Sequence, residues 1–322
     1  MIAKKIIIIS GDPNSINSEI IYKSLKSLNK SLKKRVILIS NRLMLEKQLK
    51  RLKYTLKLQE IKDISENIEF NKIGIFNLDC KFKDPFKVSR KNASNFVIKS
   101  LNLAHRLALS KKISGIINCP IDKKLLNKKK IGVTEYLTKK CKLSGDSQVM
   151  LIHNKNLSIA PLTTHIDLKD VIKQINQNLI ISKIKTIQVW FKKKLGRNPK
   201  IGILGLNPHN AEYRNNSEEV KIIIPAINKL KKKGINIEGP LSPDTIFIDK
   251  YLKYDVIVGH YHDQVLSPFK ALYKFNAINL TLGLKYIRVS PDHGTAINLV
   301  GKNKANALSL SMCINFIDKL RK

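Results

Sequence analysis

Seven histidines are spread through this chain, and three of them end comparable apolar runs. His165 follows SIAPLTT, His209 follows KIGILGLNP, and His262 follows DVIVGHY. A run of Val and Ile that ends in polar residues is how an α/β protein delivers side chains to the carboxyl end of a strand. Taken singly, each histidine is most simply a hydrogen-bonded strand-end residue. Taken together, three neutral imidazoles leaving an open fourth position are the donor set of a catalytic Zn²⁺-type site. Asp167 and Asp263 lie beside two of these histidines and suit either orienting an imidazole or ligating the ion. His260 and His262 alternate, so in an extended strand they would share a face. His105, in a helical pattern, and His153, at the end of an apolar run, read as structural.

A cationic set follows the third histidine. Lys270 and Arg288 flank Asn279 within one stretch, 255–301. A charged fork beside a metal is what a phosphate or carboxylate substrate requires. Thr134 and Glu135, at the start of a helical pattern, could add polar contacts. No GxGxxG, GxSxG or P-loop occurs. Gly11-Asp12-Pro13 reads as a tight turn after the first strand, and Asp292–Gly301 as a polar loop bounded by glycine.

Composition limits the classes of function. The chain has 322 residues, enough for one large or two ordinary domains, and 43% hydrophobic content. Its formal net charge is +36. Such a balance can signal a nucleic-acid partner, but only nine of the 60 basic residues are Arg, the residue suited to bidentate phosphate and base contacts. The 51 Lys are dispersed along the whole chain, and Ile and Asn are abundant beside them. That set matches A/T-rich coding, so the lysines read as a solvated surface and not as a nucleic-acid site. The four cysteines, Cys80, Cys119, Cys141 and Cys313, have no CxxC spacing and read as free thiols in a reducing compartment. The apolar run in MIAKKIIIIS is too short for a membrane span and reads as a buried strand. These features together predict a cytoplasmic protein.

The elements that must position these residues alternate. Strands are predicted at Ile6–Ile9, Arg35–Ser40, Gly115–Cys119, Ser147–His153, Leu157–Leu162, Lys200–Leu206 and Asp255–Gly259. Helices are predicted at Ser18–Leu28, Ser94–Ser110, Val171–Lys194, Glu218–Lys233 and Asn306–Leu320. Alternation of this kind predicts an α/β protein with a largely parallel sheet. A boundary is expected near 125–130, in LLNKKKIG.

Several segments, in colinear order over nearly the whole length, match one family. They are GDP (11–13), NCPIDK (118–123), LTTHIDL (162–168), NPHNAE (207–212), SEEV (217–220), GPLSPDTIF (239–247), YHDQVLSPFK (261–270), NLTLGL (279–284) and IRVSPDHGTA (287–296). On these motifs the chain resembles the 4-hydroxythreonine-4-phosphate dehydrogenase family of vitamin B6 biosynthesis. The resemblance implies an isocitrate/isopropylmalate dehydrogenase-like fold of two α/β/α domains with the active site in the interdomain cleft. The domains would be 1–128 plus 289–322, contributing to NAD binding, and 129–288, carrying the metal and substrate site and the dimer interface. It implies His165, His209 and His262 as ligands of a divalent ion, Zn²⁺ first and Mg²⁺ or Co²⁺ as alternatives; for the general base of such a site, a water and Asp263 through the metal shell are the two candidates. Residues 133 and 134 (Val133, Thr134), Lys270, Asn279 and Arg288 fall at substrate contacts. Asp292, His293, Gly294 and Thr295 fall where related enzymes hold the adenosine end of NAD or NADP, which accounts for the missing GxGxxG. Family members are homodimers with the metal site at the subunit interface, one imidazole coming from the neighbouring chain.

The chain departs from the family in three places. Val133 stands where the family has His. The first turn reads GDPNSINSE, with Ser15, Asn17 and Ser18 replacing two glycines and a proline, a loss of backbone freedom. After Asn207-Pro208-His209 the chain has NAEYRNN where glycines are usual. The implied reaction is metal-dependent oxidation of a small phosphorylated amino acid by NAD. Two alternatives stand beside it: a relative acting on phosphorylated threonate or erythronate, and a decayed scaffold that binds anions or nucleic acid without catalysis.

Overall fold

A computed structural model describes residues 4–126, 132–143 and 147–320. Twelve strands form among them: β1 (Lys5–Ile9), β2 (Val36–Ser40), β3 (Leu58–Glu60), β4 (Ile73–Asn77), β5 (Ile113–Asn118), β6 (Val149–His153), β7 (Ser158–Pro161), β8 (Ile201–Leu204), β9 (Ile237–Leu241), β10 (Val256–Gly259), β11 (Ile278–Leu282) and β12 (Arg288–Pro291). The α-helices are α1 (Asn17–Ser27), α2 (Lys30–Lys33), α3 (Arg42–Arg51), α4 (Arg90–Leu109), α5 (Val133–Lys140), α6 (Leu168–Gln174), α7 (Gln177–Leu195), α8 (Ile224–Lys231), α9 (Pro243–Ile246), α10 (His262–Tyr273) and α11 (Leu308–Lys319). None of the described helices is long and apolar enough to cross a membrane.

The chain divides into two compact units, Met1–Cys141 with Leu284–Lys322, and Lys142–Gly283. In the first unit the strand order is β3-β4-β2-β1-β5-β12, and every pairing is parallel. The Ile and Val runs explain this sheet: a strand covered on both faces has no polar side to show. Ile7, Ile9, Ile37 and Ile39 pack with Phe96, Val97 and Leu101 of α4. Their alternate neighbours Ile6, Ile8 and Leu38 are equally buried and face the other way. On that side α1 packs with α11, and α11 lies on β12 and β5. Val133 and Tyr136 of α5 pack against the α4-side cluster, which ties α5 to this unit.

In the second unit the order is β11-β6-β7-β10-β8-β9. The β11–β6 and β6–β7 pairings are antiparallel, and β7–β10, β10–β8 and β8–β9 are parallel. Its core joins Ile152, Ile159, Leu204 and Ile257 of the strands to Val265, Leu266 and Phe269 of α10. The fold is therefore the mainly parallel α/β class that the alternation predicts.

Local differences have local causes. The helix predicted over Val171–Lys194 is two helices, because Asn176 caps α7 by accepting from the Leu179 N–H, 2.9 Å away. Glu218–Lys233 opens with a π-helical turn, Glu219–Ile223, before α8. The boundary predicted near 125–130 falls largely on residues outside those described.

Candidate active site

The strands β7, β10 and β8 are adjacent, so their carboxyl ends leave the sheet side by side. The segments after β7 and β10 stay joined: the Leu162 N–H donates to the Gly259 carbonyl, and Thr163 donates through both N–H and Oγ1 to the His260 carbonyl. His165 and His262 extend from these two segments, and their ring centroids are 5.9 Å apart. Two imidazoles bound through nitrogen to one divalent ion at about 2.1 Å would place their centroids about 5–6 Å apart. The observed separation lies within that range.

His262 opens α10, and its Nδ1 is 2.6 Å from Oδ1 of Asp263. A carboxylate on Nδ1 holds the tautomer that presents Nε2 to a ligand. This geometry makes Asp263 an orienter of His262. Asp167 instead forms an exposed ion pair with Lys169 at 3.8 Å. The expectation that His260 and His262 share a strand face is not met. β10 ends at Gly259, and His260 is fully buried with Nε2 2.8 Å from the Leu204 carbonyl. Burial pushes its pKa down to about 4, so this imidazole is neutral and structural. His105 is buried and meets the Tyr286 hydroxyl, and His153 meets Ser158, consistent with structural roles for both.

His209 follows β8 differently. Pro208–Tyr213 is a 3₁₀ turn in which His209, Asn210, Ala211, Glu212 and Tyr213 all have positive φ, between 50° and 55°. Left-handed backbone in L-residues costs about 1–2 kcal/mol each, and none of these five residues is glycine. His209 is exposed and lines a cavity with Asp244, Tyr261 and Gln264. No three of the described His, Cys, Asp and Glu residues form a cluster able to hold a metal ion. Within one chain the structure thus brings His165 and His262 together and does not close the three-imidazole set around His209.

Of the residues expected at the substrate, Arg288 is the most constrained. It lies on β12, only 4% exposed. Its Nε donates to Asn118 Oδ1 at 2.6 Å and its Nη1 to Thr134 Oγ1 at 3.3 Å. Burial lowers its pKa to about 10, still charged at neutral pH. An anion on this guanidinium would offset the burial cost. Thr134 is in the first turn of α5, whereas the Val133 side chain packs against the core and offers no polar atom. In the second unit Lys270 is on α10, its Nζ 5.7 Å from the centre of the Phe275 ring. Asn279 is on β11, and its Oδ1 is buried with no hydrogen-bond partner among the described residues. An orphaned acceptor of that kind suits a ligand donor.

The Asp292–Thr295 loop is anchored at both ends. The Asp292 N–H donates to Ser309 Oγ at 2.9 Å, and the Ile16 N–H to the Thr295 carbonyl at 3.3 Å. His293 Nδ1 lies 3.0 Å from the Gly294 carbonyl. A Cβ added at Gly294 would meet nothing within 4 Å, so the loop leaves room for a ligand to approach its backbone. In the first turn only Gly11 has positive φ, and a Cβ there would come within 2.6 Å of the Pro120 carbonyl. Ser15 and Asn17 fit without strain: Ser15 Oγ donates to the Asp12 carbonyl and Asn17 Nδ2 to the Pro120 carbonyl. Three residues with evident positioning roles, Asn118, Gln264 and Glu219, lie inside the motif segments, but residue type alone assigned them nothing.

Comparison with known proteins agrees with this architecture. The family described as "Pyridoxal phosphate biosynthetic protein PdxA" matches residues 13–317. The chain is 40% identical to the 4-hydroxythreonine-4-phosphate dehydrogenase of Sulfurihydrogenibium sp. (strain YO3AOP1), over 95% of this chain and 94% of that one. It is 36% identical to the enzyme of the same name from Aquifex aeolicus (strain VF5), with 98% of both covered. The crystal structure of the Klebsiella pneumoniae enzyme superposes with a TM-score of 0.85 at 27% identity, covering 99% of this chain and all of that one. With a match over almost its whole length, the chain belongs to the PdxA family of pyridoxal phosphate biosynthetic proteins.

Proposed function

We propose that this protein is an oxidoreductase acting on 4-hydroxy-L-threonine 4-phosphate in vitamin B6 biosynthesis. It oxidises the C3 hydroxyl to a ketone with NAD⁺, or NADP⁺, as hydride acceptor. The product, 2-amino-3-oxo-4-(phosphooxy)butanoate, is a β-keto acid that loses CO₂ to give 3-amino-2-oxopropyl phosphate. The observation that carries this reading is the His165–His262 pair, 5.9 Å apart with Asp263 on the far nitrogen of His262.

His165, His262 and His209 would hold a divalent ion, Zn²⁺ before Mg²⁺ or Co²⁺, with a second copy of the chain completing the donor set in a homodimer. A bound divalent ion supplies Lewis acidity, which lowers the pKa of a substrate hydroxyl. Asp263 keeps the His262 ring in its presenting tautomer. Arg288, oriented by Asn118 and Thr134, binds the phosphate, and Lys270 and Asn279 contribute further substrate contacts. Binding energy from such a remote anionic group serves to orient the reacting carbon. Asp292, His293, Gly294 and Thr295 form the backbone cradle for the adenosine end of the cofactor.

Val133 supports a second reading. Packed into the core, it cannot make the polar contact of the family's histidine, and phosphorylated threonate or erythronate would need one contact fewer. The test is NADH formation by purified protein with each substrate and Zn²⁺ or Mg²⁺, beside a chelated control. Metal-dependent turnover of 4-hydroxythreonine phosphate supports the first reading, and turnover of the threonate phosphates alone supports the second. Folded, metal-loaded protein that oxidises none of them overturns both.

A further inference from the structure

Glu219 is fully buried, yet the partners of its carboxylate are uncharged. Oε1 accepts the backbone N–H of Leu206 and of Asn207, both at 2.8 Å, and Oε2 accepts Asn207 Nδ2 at 3.0 Å. A buried carboxylate is costly unless its oxygens are satisfied. Burial raises its pKa, but the hydrogen bonds from Asn207 and Leu206 outweigh that and hold it below the usual carboxylate range. The residue begins the π-helical turn Glu219–Ile223, an irregularity often found at functional sites.

The segment it grips is the one that needs gripping. Leu206 and Asn207 join β8 to five consecutive residues of left-handed backbone, none of them glycine. Strain of this kind persists only where the surroundings over-determine it. Asn207 Nδ2 also donates to Glu218 Oε2 at 2.8 Å and Gln264 Nε2 to the Gly205 carbonyl at 2.7 Å, but neither bond holds a backbone N–H of the segment; further on, Asn210 Nδ2 donates to the Pro240 carbonyl at 3.2 Å and Arg214 Nε to the Ala211 carbonyl at 3.2 Å. Glu219 thus sets the point and direction at which the turn leaves the sheet, and His209 is the first left-handed residue after that point.

We propose that Glu219 is a positioning residue for His209, fixing through the Leu206 and Asn207 amides the direction in which that imidazole is presented. This rests on the reading of His209 as a ligand of the divalent ion. The test is a double-mutant cycle read as Co²⁺ affinity, from the visible spectrum of the bound ion, with full-length protein. Glu219→Gln keeps the shape of the side chain but removes its charge and one acceptor, and should weaken Co²⁺ binding about 10- to 100-fold. His209→Ala should weaken it at least as much, and Glu219→Gln added to His209→Ala should cost nothing further. Wild-type affinity in Glu219→Gln, or fully multiplicative losses in the double variant, would overturn the proposal. If Glu219→Gln does not fold, Glu219→Asp takes its place in the same cycle, because the shorter side chain pulls the carboxylate back from the Leu206 and Asn207 amides. Should His209→Ala leave Co²⁺ affinity unchanged, the metal reading of His209 fails by itself. Hydrogen exchange at the Leu206 and Asn207 amides then decides the positioning: faster exchange in Glu219→Gln upholds it, unchanged exchange overturns it.

Discussion

Asp263 shows how much one neighbour settles about a histidine. Its oxygen on Nδ1 gives His262 a defined tautomer, while fully buried His260, two residues earlier, spends its Nε2 on a carbonyl. Both were visible as histidines, and residue type could not tell them apart; only where β10 stops and α10 starts could. Asp263→Asn is expected to lower divalent-ion affinity about 10-fold or more while leaving the thermal midpoint near that of wild type, as measured by metal titration and melting. Tyr213 offers a stability test. It is 53% exposed at φ 55°, where glycine carries no steric cost. Tyr213→Gly should relieve about 1–2 kcal/mol of backbone strain against about 0.5–1 kcal/mol of added chain entropy. A raised urea midpoint is expected, and a lowered one would show the left-handed turn to be unstrained.

At the level of elements, the buried strands were legible because runs such as KIIII and VILIS have no polar face to misread. β3, β4, β9, β11 and β12 were not, since LQE, IGIFN, IEGPL, INLTL and RVSP carry Gly, Pro, polar or charged residues that blur the pattern. α10 was hidden for another reason: its first turn is HDQ, and Pro268 falls inside it. The left-handed turn after β8 has little sequence signature: His209 and Asn210 are types that visit positive φ more readily, but Ala211, Glu212 and Tyr213 ordinarily avoid it and no glycine marks the turn. The end of β6 carries a consequence for pH. Burial, with Arg197 adding repulsion, pushes the His153 pKa down to about 4 from 6.5. The unfolded chain therefore binds the extra proton first as pH falls. The stability this neutral imidazole allows is complete above about 6.5 and is lost toward pH 4, on the order of 3 kcal/mol. Urea midpoints across that range should fall, and fall less in His153→Gln; equal slopes would remove His153 as the cause.

For the whole molecule the dominant long-range force is self-repulsion from a net charge of +36. Ion pairs among the described residues, such as Arg51–Asp84 at 2.9 Å and Lys200–Glu238 at 2.8 Å, are at least partly exposed and offset little of it. Raising NaCl from low ionic strength toward about 1 M, where the Debye length is about 3 Å, should raise the thermal midpoint. A midpoint that falls with salt would mean that attractive pairs outweigh the net repulsion. The division into two units, Met1–Cys141 with Leu284–Lys322 and Lys142–Gly283, has a consequence in time. The second unit is one continuous stretch of chain, whereas the first encloses it and lacks β12 and α11 until the last forty or so residues exist. On a ribosome adding about 5–20 residues per second, the second unit emerges whole while the first still shows an open β5 edge and the bare flank that α11 will cover. Vectorial synthesis therefore inverts the order of the sequence: the part that begins first is the last to be finished.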